Sequence, residues 1–386
     1  MKEELKVSNS FRIIAGICIL IGVGGFVYGF LNEPQRTWAN YLVNNYYFFS
    51  LAMGGVFFFV IQYISQSGWS AAFKRIPEAF MSYLPYAAVF FLLLYFGTHD
   101  LYHWTHEEAV AHDPLLQHKT PYLNIPFFMG RVVIYFALWI LLTQMLRRFS
   151  SKEDEVGGFK YFEKSELYSK ILIFILAFTF TLSAIDWIMS LSPHWYSTIF
   201  ALKQMVSAFL HGVSIMVLII FVLHKKGFFP FLNKYHLHDM TRYMFMLAIV
   251  WGYFWFAQFM LIWYGNIPEE TVYYYYRWKD GWKTLFFAEI ILNWAVPFFV
   301  LLPIKASRSM TVMTIVILFL IVGQYVEQFL QVMPQTNEKL QFGFIEITTF
   351  IGYAGLFAYV VISSLGRRKV IPVNHPYLEE SLEHHF

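Results

Sequence analysis

The chain has 386 residues, of which 58% are hydrophobic, 21% aromatic and only 14% charged. Apolar runs of about 20 residues recur from end to end, the length that crosses about 30 Å of hydrocarbon, and this excludes a soluble fold with one or two cores. The net charge of +3 is spread over short loops and gives no nucleic-acid signal, while the single cysteine, Cys18, excludes a disulfide framework or an iron–sulfur cluster held by this chain.

Ten spans are predicted, at about 11–31, 46–66, 81–99, 125–147, 168–190, 197–224, 239–265, 283–304, 309–332 and 343–365. The first lacks a small-residue cleavage site and reads as a retained span. Aromatic residues crowd many ends, as at Tyr46–Phe49 and Tyr273–Tyr276, where interfacial belts are expected. The chain therefore reads as one all-α polytopic membrane domain over 1–386. Its eight central spans could form two four-helix bundles, 46–190 and 197–332, with flanking spans 11–31 and 343–365 and a short tail. Of the 28 Lys and Arg, only Arg36, Lys119, Arg277, Lys279, Lys283 and Lys339 fall in loops opposite the N-terminus. The positive-inside rule then puts both termini in the cytoplasm.

Polar residues inside the spans are unevenly placed. The stretch Ser183–Lys203, SAIDWIMSLSPHWYSTIFALK, makes the turn between spans 5 and 6. Asp186 and Lys203 flank it at depths of roughly 10 and 15 Å, so a pair between them is expected. Arg131 lies one or two turns into span 4. Glu289 and Asn293 share a face of span 8. Gln324, Glu327 and Gln328 lie in the outer part of span 9, and Glu346, near the outer end of span 10, is expected at the depth of Glu327. His211 alone sits near mid-membrane. The outer half reads as polar and the inner half as mostly apolar.

Such groups are costly in hydrocarbon, and they usually mark a path or a site. Register-fixing pairs are the plainer alternative. His99 and Asp100 close span 3, and His99 and His103 stand at i and i+4, a spacing metals use. The motif has no internal Glu, and only His211 is deep enough to face another helix as a haem ligand. Interfacial imidazoles that take up or release protons are the simpler reading.

The stretch AIDWIMSLSPHWYSTIF, Ala184–Phe200, with its core DWxMSLxPxWYS from Asp186 to Ser197, resembles the membrane subunits of alternative complex III, a quinol:cytochrome c oxidoreductase. These are similar to the NrfD/polysulfide-reductase membrane family, and the likeness is closer to the second, smaller subunit type than to the larger paralogue. The segment GTHDLYHWTH, Gly97–His106, also resembles this family. The resemblance implies two four-helix bundles with one extra span at each end, in a bacterial inner membrane. It implies partner subunits carrying haem c and iron–sulfur clusters on the periplasmic side, a larger paralogue and an associated terminal oxidase. Quinol sites and proton routes would open to that side. This chain would then hold no metal itself, and quinone would bind here or in the paralogue.

The leading expectation is a non-metal subunit of a quinol-oxidising respiratory complex. It would provide a periplasm-facing pocket or proton half-channel from Asp186, Lys203, Arg131, Glu289, Glu327, Glu346, His99, Asp100 and His211. The alternatives are a proton- or ion-coupled transporter, and a scaffold whose polar residues only fix packing.

Overall fold

The computed structural model describes residues 4–279, 281–337 and 339–385. Ten helical stretches in it are long and apolar enough to cross a membrane: Asn9–Asn32, Pro34–Ile64, Ala71–Leu101, Ile125–Val156, Lys160–Leu191, Thr198–Lys225, Lys234–Gly265, Trp282–Leu301, Met310–Thr336 and Phe344–Leu365. They are spans 1 to 10 below. No strand ladder occurs among the described residues; a lone bridge joins Glu4 to Lys369. The chain is thus a multi-pass, all-α membrane protein. With ten crossings both termini share one face, here the terminal face, and the opposite one is the outer face.

Helix ends follow from local chemistry. Ser8 and Asn124 accept from the backbone N–H of Phe11 and Phe127 and so cap spans 1 and 4, and Pro34 opens span 2 where a missing N–H costs nothing. Span 2 starts 12 residues before the expected boundary at 46. Its first three turns carry Arg36, Asn40, Asn44 and Asn45, which hydropathy assigns to a loop. Partners for Arg36, Asn40 and Asn44 make this stretch helical: Asn40 donates to Thr349 Oγ1 at 2.6 Å and to the Ile345 carbonyl at 3.3 Å.

Span 2 occupies the centre. Nearly every side chain from Thr37 to Val60 is buried, as for a helix apolar all round, and it packs on spans 1, 3, 5, 6, 9 and 10. Its closest crossing is with span 6. A Cβ on Gly54 would lie 2.0 Å from the Ala208 carbonyl oxygen and 2.7 Å from the Gly212 Cα, so these backbones meet where only glycine fits.

Two spans are interrupted. Span 3 is a series of short helices with 3-10 turns at Met81–Tyr83 and Leu94–Gly97. Span 8 contains a π turn, Ile291–Ala295, just before Pro297. The proline has no N–H for the ladder, and the wide turn absorbs that gap.

Beyond span 10 the chain does not leave the molecule. Val370, Ile371, His375 and Ser381 are buried. Ser381 donates to the Trp69 carbonyl at 2.7 Å, its own carbonyl meets His236 Nε2 at 2.9 Å, and Asn374 donates to the Asp154 carbonyl at 2.7 Å. Residues 366–385 thus strap the terminal ends of spans 2, 3, 4 and 7.

Candidate functional site

The intramembrane charges sort into separate groups. One joins spans 6, 7, 8 and 9. Lys203 Nζ sits 2.8 Å from Glu289 Oε1 and 3.2 Å from Glu327 Oε1, with all three side chains buried. Trp251 donates its indole N–H to Glu327 Oε2 at 2.8 Å, and its ring lies 4.9 Å from Lys203 Nζ. Ser207 also donates to Glu327 and, at 3.0 Å, to Gln324 Oε1, while Gln324 donates to Asn293 Oδ1 at 2.9 Å. One ammonium thus lies between two carboxylates, so one positive charge faces two potential negative ones.

This group is imperfectly satisfied. Among the described residues, Gln204 has no partner at either side-chain atom, nor have Gln328 Oε1, Gln331 Oε1 and the Asn293 amide nitrogen. Buried amides are rarely left bare, and water is their usual partner. Glu327, Gln331 and Gln335 stand at i, i+4 and i+8 on span 9 and form one stripe. Gln331 donates to Glu327 Oε1 at 3.2 Å. Gln335, roughly 12 Å further out, lines an outer cavity of about 370 Å³ together with Gln35, His99, Asp100, His103 and His106. Arg277, from the short outer helix Pro268–Arg277, is buried beside this stripe and donates to the Gln331 carbonyl at 3.4 Å. Burial lowers its pKa.

Span 6 carries a matching face. Lys203, Ser207 and His211 stand at i, i+4 and i+8. The His211 ring is buried, 4.3 Å from the Tyr47 ring centroid, and neither nitrogen has a partner among the described residues. Further in, Phe57, Met216, Val217 and Ile220 make the interior apolar. Ser214, one turn beyond His211, donates back to the Leu210 carbonyl of its own helix at 2.7 Å, and the polar face ends there.

The expected Asp186–Lys203 pair does not form. Asp186 takes a two-pronged contact from Arg131, Nε to Oδ2 at 2.7 Å and the second guanidinium nitrogen to Oδ1 at 3.0 Å. Tyr122 and Tyr135 donate to it at 2.9 and 3.0 Å. A planar guanidinium matches a carboxylate better than an ammonium does, and depth alone does not say which helix faces which. Glu346 likewise does not join Glu327. It holds Arg36 at 2.7 Å and accepts the Gly343 N–H at 2.8 Å, capping its own helix.

His99 and His103 do not share a helix face, because the chain breaks between Thr98–Leu101 and the 3-10 turn His103–Thr105. His99 instead stacks on His106, 4.1 Å between ring centroids, and His106 Nε2 meets the His99 carbonyl at 2.8 Å. Among the described residues, no group of three or more His, Cys, Asp or Glu side chains is placed to hold a metal ion.

No family model and no curated protein matches this chain. Function has to be read from the site itself.

The expectation of an apolar inner half fails at the terminal face. Lys74 pairs with Glu153 at 2.5 Å, and Arg75 with Glu78 at 2.7 Å and also with Asp154. Ser150, Tyr63 and Arg368 add hydrogen bonds. Hydropathy assigns Lys74 and Arg75 to a loop. The signal that could place them is Arg75 and Glu78 at i and i+3, a helical pair. Trp251, Ser207, Gln204 and Arg277 were equally invisible as site residues, because nothing local ties them to Glu327.

Proposed function

We propose that this chain is a membrane subunit of a quinol-oxidising respiratory assembly of the alternative complex III kind, and that its Lys203–Glu289–Glu327 cluster carries protons across the outer half of the membrane. Both termini would lie in the cytoplasm and the 370 Å³ cavity would open to the periplasm. The observation behind this reading is a buried lysine shared by two carboxylates, with unpartnered amides continuing along one stripe toward that cavity. A carboxylate pair around one cation can gain or lose a proton without a large change in geometry, since Lys203 swings between Glu289 and Glu327. Waters held by the free atoms of Gln331 and Gln335 pass the proton to or from His99, Asp100, His103 and His106. His211 and the buried Tyr47 ring end the route inward.

In this reading haem c and iron–sulfur clusters belong to partner subunits. Quinol oxidation supplies the protons, and this chain's residues bind and move them. Asp186–Arg131 and Glu346–Arg36 are closed pairs that fix helix positions. The interrupted span 8, which brings Glu289 into the cluster, also favours a second reading, an ion-coupled transporter. Purification from native membranes separates the two, because a transporter comes alone and a complex subunit brings haem absorbance with it. Within an intact complex, Glu327→Gln should slow quinol-driven turnover or proton release while haem content stays normal. Unchanged turnover and proton release would refute the proton route.

A further inference from the structure

Span 1 does not pack on its neighbours evenly. It lies flat on span 10 through glycine: a Cβ on Gly22 would come within 2.5 Å of the Gly352 Cα, and one on Gly355 within 2.5 Å of the Cys18 Cβ. This draws span 1 toward span 10 and away from span 3. The gap is a slot of about 340 Å³, walled by Ile19 and Val23 of span 1, Trp38 of span 2, Phe90 and Leu93 of span 3, and Tyr353 of span 10. Val23 and Leu93 are exposed on its rim, so it is open sideways at a depth where the surroundings are hydrocarbon.

The slot runs from the level of Ile19 to that of Phe26, roughly 10 Å or about two helical turns. A partner's span needs a seat along about 30 Å of hydrocarbon, so the slot is too short to be the footprint of one. At its wall the Tyr41 hydroxyl donates to the Phe90 carbonyl at 2.8 Å, and the Thr349 hydroxyl to the Ile345 carbonyl at 2.6 Å. The Trp38 indole nitrogen and the Tyr353 hydroxyl have no partner among the described residues, but both atoms are buried behind a lining that is almost wholly apolar. A ring bearing carbonyls would meet no donor facing the slot, whereas a run of methylenes loses nothing. Left empty, the walls would forfeit the dispersion contacts that a packed interior makes.

We infer that the slot between spans 1, 2, 3 and 10 is a binding site for one acyl chain of a membrane phospholipid. The occupant completes the seam that the glycine contacts leave open and ties span 1 to span 3. This inference rests only on the membrane-spanning architecture and is independent of the proton route.

The test is photo-crosslinking of the full-length chain, in its native assembly, with a phospholipid carrying a diazirine midway along one acyl chain. Adducts mapped by peptide mass spectrometry should be about tenfold denser at Val23, Phe90 and Leu93 than at Phe174 and Phe178, which are exposed on span 5. Filling the slot with Val23→Phe or, separately, Leu93→Trp should reduce adducts at the remaining slot positions by a similar factor and leave those on span 5 unchanged. Equal density at slot and span 5 in the unaltered protein would overturn the inference without recourse to the variants. So would a complete lack of lipid adducts at Val23, Phe90 and Leu93 in the unaltered protein.

Discussion

Two buried ionic groups, one near each face, are built on opposite principles. At the terminal face Lys74, Arg75, Glu78, Glu153 and Asp154 interlock at close range, and the tail covers them: Val373 donates its N–H to Asp154 at 3.2 Å, and His375 packs against Tyr63 and Phe162. The cavity beside Lys74 there, about 20 Å³, holds about one water. In the outer group three ionisable side chains share one site, amides around them lack partners, and a cavity some eighteen times larger lies along the stripe. At the terminal face Arg75 Nε lacks a partner, but the other two guanidinium nitrogens are both bonded, and buried charges held in this way hold structure. Buried charges left with free valences and room for water can change protonation. In the proposed function the first role falls to the terminal group and the second to the outer one.

The largest expected effect breaks the terminal group. Glu153→Gln leaves Lys74 buried without its counter-charge, which costs about 3–5 kcal/mol. Most of the protein should be lost from membranes, or its melting temperature in detergent should fall steeply. Glu327→Gln should cost only about 1 kcal/mol, since Glu289 still holds Lys203. If the two substitutions destabilise equally, the contrast between the groups is wrong.

A second test separates the closed pair from the open one. Asp186→Asn and Arg131→Met should be strongly non-additive in thermal stability, the double change recovering part of each single loss. Asp186→Asn and Lys203→Met should add. Coupling between Asp186 and Lys203 would restore the simple depth argument and contradict the helix arrangement.

The smallest effect is a pH dependence of the strap. His375 is buried beside Lys74, Arg75 and Glu153, with Tyr63, Phe162 and Tyr377 around it, and burial first, then the two cations, push its pKa down to about 2. The docked imidazole is neutral, while an undocked one protonates near pH 6.5. Docking is therefore fully favourable above about pH 6.5 and weakens about tenfold per unit below it. Amide exchange over 370–377, corrected for its intrinsic pH dependence, should rise between pH 7 and 5.5, and His375→Phe should remove most of that rise. A flat profile would mean the strap is held by Ser381 and Asn374 alone.

Much of this was legible in the sequence. Hydropathy placed all ten spans, and the rarity of Glu289, Glu327 and Lys203 in apolar runs singled out three residues that the fold brings together. Pairing was not legible, because depth is one coordinate and helix rotation another: Asp186 and Lys203 share the first and not the second. The polar first turns of span 2 were missed because Asn40 is helical only through Thr349, more than three hundred residues away. The terminal group was missed because a window average treats Lys74 and Arg75 as loop charge, and their partners lie on span 4. The strap was missed for the same reason, as its contacts to Trp69, His236 and Asp154 have no local signature.

The contrast between a wet outer group and a dry terminal one is tested most directly by side-resolved thiol labelling. In a Cys18→Ser background, single cysteines replace Gln331, Gln335 and, at the terminal face, Gln62. Sealed vesicles of each orientation are exposed to a membrane-impermeant thiol reagent. The account predicts labelling of the Gln335 and Gln331 positions from the outer face only, the former faster, and none at Gln62 from the terminal face while the tail is intact. Labelling at Gln62 as fast as at Gln335, or none at Gln331 from the outer face, would contradict it.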